Sequence, residues 1–189
     1  MKSKVLVVVD MQNDFVTGAL RNEEAIKIVP NVVKKIDQAL DDDNVNLIFT
    51  KDLHEDEDYL NTEEGKNLPV KHCINGTEGQ NIIPEIMALF GNREYRYTTF
   101  HKNTFGCTGL GNSLKYLNEN TESITEIELI GVCTDICVIS NALLIKAFVP
   151  NVHIVVDASC CAGVAPESHK NALEAMKACQ IEIINEDLS

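Results

Sequence analysis

The sequence predicts an α/β fold: a parallel six-stranded sheet with helices on both faces, a Rossmann-like three-layer arrangement. Three observations point to it. Short apolar runs alternate with helix-patterned segments along the chain. The runs are continuous in β-branched residues, as in strands buried on both faces. No internal repeat or low-complexity stretch interrupts this rhythm. The 189 residues are 44% hydrophobic and 24% charged, the balance of an ordinary globular protein. That length can bury a core without disulfides, and we expect residues 1–189 to form one domain.

The elements follow in order. Residues 5–10 form a first strand, an unbroken β-branched run closed by Asp10. Residues 26–40 carry Ile28, Val32, Val33, Ile36 and Leu40 at helical spacing. Asp41, Asp42, Asp43 and Asn44 break that helix, and residues 45–50 make the second strand. Residues 82–90 read as a helix with Pro84 in its first turn. Residues 95–100, rich in Tyr and Thr, are the third strand, and 110–117 a short helix. Residues 127–132 are the fourth strand, 135–148 an apolar helix and 152–157 the fifth strand. A helix over 166–178 and a sixth strand over 181–184 complete the set. The long charged stretch at about 53–94, with Gly65, Pro69, Gly76 and Gly79, departs from the rhythm. Connections of that length are usually functional, so we treat it as an excursion from the domain.

Charge and cysteine usage narrow the function. Sixteen basic against 29 acidic residues leave a net charge of −13, with no Lys/Arg cluster. This argues against a nucleic-acid or anionic-membrane surface. Apolar runs such as 5–9 are far too short to span a bilayer, and the N-terminus has no signal-peptide pattern. The expected compartment is the cytoplasm. Seven cysteines are an odd number, without a C-x-x-C pair. Most read as small buried hydrophobes, with one or two at most reactive.

In open parallel sheets, ligands bind beyond the carboxyl ends of the strands. Asp10 closes strand one, Asp52 and His54 follow strand two, and His101 and Lys102 end strand three. Cys133, Thr134, Asp135 and Cys137 follow strand four. Cys137 falls near the first turn of an apolar helix, where partial positive charge and free N–H groups favour thiolate and an oxyanion. The plain alternative is a buried helix cysteine. Core packing does not explain an acid at Asp10, which reads either as a general acid/base or as a partner for backbone N–H groups. Lys102 reads as a stabiliser of neighbouring negative charge, or as a surface lysine.

Asp52 and His54, two apart in extended chain, point the same way, and His72 arrives from the excursion. One carboxylate and two imidazoles suit Zn, Mn or Fe better than Mg or Ca. Many D-x-H pairs bind nothing. Glu55, Asp56, Glu57 and Asp58 read as a solvated face, and Glu63 or Glu64 as a further ligand. His101, His153 and His169 lack such partners and read as structural.

Five segments together resemble the isochorismatase-like cysteine hydrolases, and within them the nicotinamidases. Residues 7–15 (VVVDMQNDF) resemble the opening strand, and 50–54 (TKDLH) the metal-binding D-x-H. Residues 69–73 (PVKHC), followed by 76–79 (GTEG), resemble the segment with the next metal histidine. Residues 102–106 (KNTFG) resemble the lysine segment, and 131–138 (GVCTDICV) the nucleophile turn. The match runs from Val7 to about Asp157 in the expected order.

The resemblance implies a catalytic Asp10, Lys102 and Cys137, a cis peptide at Val132–Cys133, and an oxyanion hole from the N–H groups of Cys133 and Cys137. It implies one divalent ion, zinc first and Mn or Fe next, held by Asp52, His54 and His72. No histidine lies between His54 and His72, so a carboxylate such as Glu64, or water, completes the set. Leu68 and Pro69 stand where an aromatic residue often precedes the second metal histidine, and Phe15 is left as a wall for a flat ring. The activity implied is hydrolysis of nicotinamide to nicotinate and ammonia through a thioester. The partner is a small-molecule amide, and a homo-oligomer is compatible, although no sequence feature specifies its interface. Rival readings are hydrolysis of another small amide, ureide or carbamoyl compound, and a non-catalytic metal-binding or regulatory module. Vinyl ether hydrolysis is disfavoured by Cys137, and a redox role for Cys133 and Cys137 by their spacing.

Overall fold

The computed structural model describes residues 2–91, 97–121 and 123–188. Six parallel strands form one sheet: β1 (Lys2–Val9), β2 (Val45–Asp52), β3 (Tyr97–Lys102), β4 (Ser123–Val132), β5 (His153–Ala162) and β6 (Glu182–Ile184). Their order across the sheet is β3-β2-β1-β4-β5-β6. The helices are α1 (Asn13–Val16), α2 (Glu23–Leu40), α3 (Glu63–Asn67), α4 (Pro84–Met87), α5 (Thr108–Asn120), α6 (Ile139–Phe148) and α7 (Pro166–Ala178). This is the α/β class expected from the sequence.

Alternate residues of the strands feed two apolar layers. Leu6, Val8 and Phe49 pack on one face against Ile28, Val32 and Ile36 of α2 and Ile86 of α4. Val7, Val9, Ile127 and Leu129 pack on the other against Leu110, Ala142, Ile145 and Leu173 of α5, α6 and α7. The continuous apolar strands are thus explained by burial on both faces. Asn22 caps α2, its Oδ1 accepting from the N–H groups of Glu24 and Ala25 at 2.9 and 3.4 Å. Among the described residues, no helix is long and apolar enough to cross a membrane.

The chain leaves β1 in one direction to build β2 and β3, then returns to place β4 on β1's other side. The β1/β4 boundary is therefore the topological switch point, where such sheets open a crevice. Val9 pairs there with Gly131. Gly131 has φ +118°, and a Cβ on it would lie 2.1 Å from the Val9 carbonyl oxygen, so glycine alone fits.

Some boundaries differ from the sequence reading. Strand one ends at Val9, and Asp10 turns out of it with φ +50°. The helix expected over 82–90 shrinks to Pro84–Met87. Tertiary bonds take the preceding residues: Ile82 bridges to Gln12, and the Ile83 N–H donates to the Met11 carbonyl at 3.0 Å. Strand three starts at Tyr97 and runs to Lys102; Tyr95 lies outside the described residues. β5 runs on to Ala162, with a register shift against β4 between Leu129 and Gly131.

Candidate active site and adjoining metal-ligand cluster

Three strand exits deliver Asp10, Lys102 and Cys137 to one place. Asp10 is fully buried, and its Oδ1 accepts from Thr50 Oγ1 at 2.7 Å. Its Oδ2 lies 2.7 Å from Lys102 Nζ. That ammonium is 3.6 Å from Cys137 Sγ and 3.5 Å from Asp52 Oδ1. Lys102 ends β3, and its backbone pairing with Asp52 fixes where its stem enters the site.

Burial pushes Lys102 down, but its interactions with Asp10, Cys137 and Asp52 outweigh it and hold the ammonium well above its usual value. Burial raises the Asp10 carboxyl above its usual range; Lys102 opposes this and Asp52 adds to it. Burial and then the Asp10 charge raise the Cys137 thiol well above its usual value, with Lys102 only partly opposing. These effects oppose the thiolate that a helix start would favour. Cys137 lies in a π-helical turn, Thr134–Val138, and is buried. The Val132–Cys133 peptide is cis. Cys133 lines the cleft, with its thiol pushed up to about 12 by burial.

A second cluster adjoins the first through Asp52. Asp52 Oδ2 is 2.8 Å from His54 Nε2 and 3.3 Å from His72 Nε2. Glu64 comes from the first turn of α3, its Oε2 3.9 Å from His54 Nε2 and its Oε1 3.6 Å from His72 Nε2. These four side chains offer ligand atoms that all lie within 4.8 Å of one another. Four ligands at about 2.0–2.2 Å around a tetrahedral ion stand about 3.3–3.6 Å apart, so two imidazoles and two carboxylates fit a zinc-like ion here. His72 Nδ1 is 2.9 Å from the Val70 carbonyl oxygen, which turns Nε2 toward the cluster. Burial pushes Asp52 up, yet hydrogen bonds from His54 and His72 and the Lys102 charge hold it well below the usual carboxylate range. Burial and Asp52 raise the Glu64 carboxyl.

Sequence reasoning missed the residues that hold this cluster. Gln12 is fully buried and clamps the Asp52 backbone from 40 positions away. Its Oε1 accepts the Asp52 N–H at 2.7 Å, and its Nε2 donates to the carbonyls of Asp52 at 2.8 Å and Gln80 at 2.9 Å. Tyr59, also buried, packs edge-on against His54 and His72, with ring centroids 4.9 and 5.3 Å away. Its hydroxyl donates to the Leu68 carbonyl at 2.8 Å. Gly65 lets α3 close on this layer: a Cβ there would sit 2.0 Å from the Tyr59 carbonyl oxygen.

Both clusters open on one cleft of about 1450 Å³, lined by Phe15, Tyr59, Phe105, Ile136 and Val164 beside the polar residues. Phe15 is half-buried, and its ring meets His72 edge-on at 5.4 Å. His101 lines the cleft and is exposed; His153 bonds Glu182 at the surface, Nε2 to Oε2 2.7 Å. His169 stands away from both clusters. It is buried and its Nδ1 lies 2.8 Å from Thr134 Oγ1, in the turn that carries Cys137.

Comparison with known proteins is consistent with this arrangement. The chain matches the isochorismatase domain over residues 4–187. A nicotinamidase of Schizosaccharomyces pombe is 27% identical over 212 residues, covering 96% of this chain and 92% of that protein. The crystal structure of a nicotinamidase/pyrazinamidase from Bacillus subtilis has a TM-score of 0.81 at 26% identity, covering 96% of this chain and 98% of that one. A pyrazinamidase of Pyrococcus horikoshii, solved in complex with zinc, has a TM-score of 0.77 at 25% identity, with the same coverage of both chains.

Proposed function

The chain belongs to the isochorismatase family, and from that premise we propose that it is a metal-assisted cysteine amidohydrolase acting on nicotinamide. The amide-hydrolase class is supported by its nicotinamidase relatives, and nicotinamide is the finer reading. The observation that carries the mechanism is the convergence of Asp10, Lys102 and Cys137 at the switch point, with Lys102 Nζ 2.7 Å from the carboxylate and 3.6 Å from the sulfur.

The steps follow from that geometry. Asp10 takes the proton of the Cys137 thiol while Lys102 stabilises the negative charges that result. The thiolate attacks the amide carbonyl carbon. The oxyanion rests on the backbone N–H groups of Cys133 and Cys137. Asp10 returns the proton to nitrogen as the C–N bond breaks, and ammonia leaves a thioester. Asp10 then deprotonates a water that attacks the thioester. The C–S bond breaks, the acid leaves, and the proton on Asp10 returns to Cys137. Each turnover consumes one amide and one water and yields one acid and one ammonia.

Asp52, His54, Glu64 and His72 are the residues that would hold a divalent ion, zinc first and manganese or iron next. Such an ion supplies a Lewis-acid contact for a ring nitrogen, which serves orientation. Phe15 supplies an apolar wall for the ring. The cytoplasm remains the proposed compartment and a small-molecule amide the partner, with neither nucleic acid nor membrane; a homo-oligomer stays compatible.

The test is ammonia release by purified protein supplied with Zn or Mn, from nicotinamide and from a panel of small amides and ureides. Rapid release from nicotinamide supports the substrate. Release only from another amide keeps the cysteine hydrolase and discards nicotinamide. No release from any, with folded and metal-loaded protein, discards the enzyme reading and favours a metal-binding module.

A further inference from the structure

We propose that His169 is a positioning residue, holding the turn that carries Cys137 through the hydroxyl of Thr134. The proposal rests on the reading of Cys137 as nucleophile. Thr134 is fully buried and opens the π-helical turn of which Cys137 is the fourth residue. His169, 7% exposed, sits near the start of α7 and meets it at 2.8 Å through Nδ1. The next residue of the turn is tied to the same region: Asp135 Oδ1 accepts from the Val164 N–H at 3.0 Å. Two consecutive residues before the nucleophile are thus anchored on the segment that leads from β5 into α7.

That segment is itself built to come close. A Cβ on Gly163 would lie 2.9 Å from His169 Cβ, so glycine lets the strand exit pack on the histidine. Asn22 Nδ2 donates to the Gly163 carbonyl at 2.8 Å and pins the segment to the start of α2. Side-chain anchors matter here because the turn's backbone pattern is not that of a regular helix. The Cys133 carbonyl accepts N–H groups from both Ile136 and Val138, at 3.1 and 3.0 Å. The 3.6 Å between Cys137 Sγ and Lys102 Nζ therefore depends on where the turn is held.

A space-filling role does not account for an imidazole at this position. His169 Nε2 is buried and has no hydrogen-bond partner among the described residues. An apolar side chain would fill the volume without desolvating that nitrogen. What the imidazole adds is the contact from Nδ1 to Thr134.

The two ring nitrogens give the test. An asparagine amide reaches the place of Nδ1, and a glutamine amide that of Nε2. We would compare His169→Asn, His169→Gln, Thr134→Val and the double variant His169→Gln/Thr134→Val, each checked for folding by thermal melt. One readout is kcat and KM for ammonia release. The other, which needs no substrate, is the rate at which iodoacetamide labels Cys137, followed by peptide mass. His169→Gln and Thr134→Val should lower kcat and slow Cys137 labelling about 10- to 100-fold with little change in KM. His169→Asn should stay close to the wild type. The double variant should be no worse than either single one, because both remove the same contact.

Equal behaviour of the Asn and Gln variants, or defects that multiply in the double variant, would overturn the proposal. If the wild type hydrolyses no amide, the substrate reading fails, and the labelling rates still decide this one. If the Gln variant does not fold, Thr134→Val decides: unchanged labelling rejects the proposal and slowed labelling supports it.

Discussion

Asp10, Lys102 and Cys137 stand on the exits of three strands, whereas Glu64 and His72 of the neighbouring cluster stand on the excursion that follows β2. The first group takes its strand-end placement from the ladder, with Thr134 and Asp135 anchoring the short turn that carries Cys137. The Asp52–Lys102 and Val9–Gly131 pairings fix β3 against β2 and β4 against β1. The second group must be fastened by side chains: Gln12 on the Asp52 backbone, Tyr59 under the two imidazoles, Thr62 capping α3 at the Gly65 N–H. Strand ends place a group to within a turn of its position, and a loop-borne ligand set needs a supporting shell along its whole length. The two sets meet at Asp52, which faces Lys102 on one side and the histidines on the other.

If that division is right, damage to one set should leave the other standing. The largest effect is expected from Cys137→Ala: turnover falls at least about a thousandfold, with metal content unchanged by elemental analysis. Next comes His54→Ala, in which bound metal falls from about one per chain toward zero and substrate binding weakens. A smaller effect is expected at Gln12→Leu, which touches neither substrate nor metal ligand side chain. Loss of its clamp on Asp52 should weaken metal affinity about 10- to 100-fold, measured by competition with a chelator. An unchanged affinity would show that the loop-borne set does not need this support.

The mildest test is pH. In the proposed mechanism Asp10 is a base only when ionised, and its carboxyl is held above the usual carboxylate range. The rate should therefore fall as pH drops through a value above about 3.9, the ordinary aspartate pKa. The limb belongs to the coupled Asp10–Lys102–Cys137 set and not to Asp10 alone. An acid limb at or below the ordinary value would contradict the burial of the base.

The same contrast explains what was legible in the sequence. Asp10 and Cys137 could be placed because continuous apolar runs announce the ends of their strands, and Lys102 because it follows a Tyr- and Thr-rich strand. The Asp52/His54 pair followed from the two-residue period of extended chain. Gln12 and Tyr59 gave no such signal: a glutamine just beyond a strand end and a tyrosine in an acidic stretch look like surface residues until the chain is folded. The helix over 82–90 was overestimated because Ile82 pairs with Gln12 in a β-bridge and the Ile83 N–H bonds the Met11 carbonyl, which no local periodicity reveals. His169 read as structural, but its contact with Thr134, 35 residues away, could not be seen in the sequence. A helix start before Cys137 can be seen in sequence, whereas its burial beside the Asp10 carboxyl, which raises the thiol, cannot.

The most direct test of the account measures ammonia release and bound metal side by side in the wild type, Cys137→Ala and His54→Ala. The account predicts that Cys137→Ala keeps its metal and loses turnover, while His54→Ala loses its metal and keeps a reactive Cys137 thiol, as shown by iodoacetamide labelling. Turnover that survives in Cys137→Ala, or metal lost together with that sulfur, would contradict it.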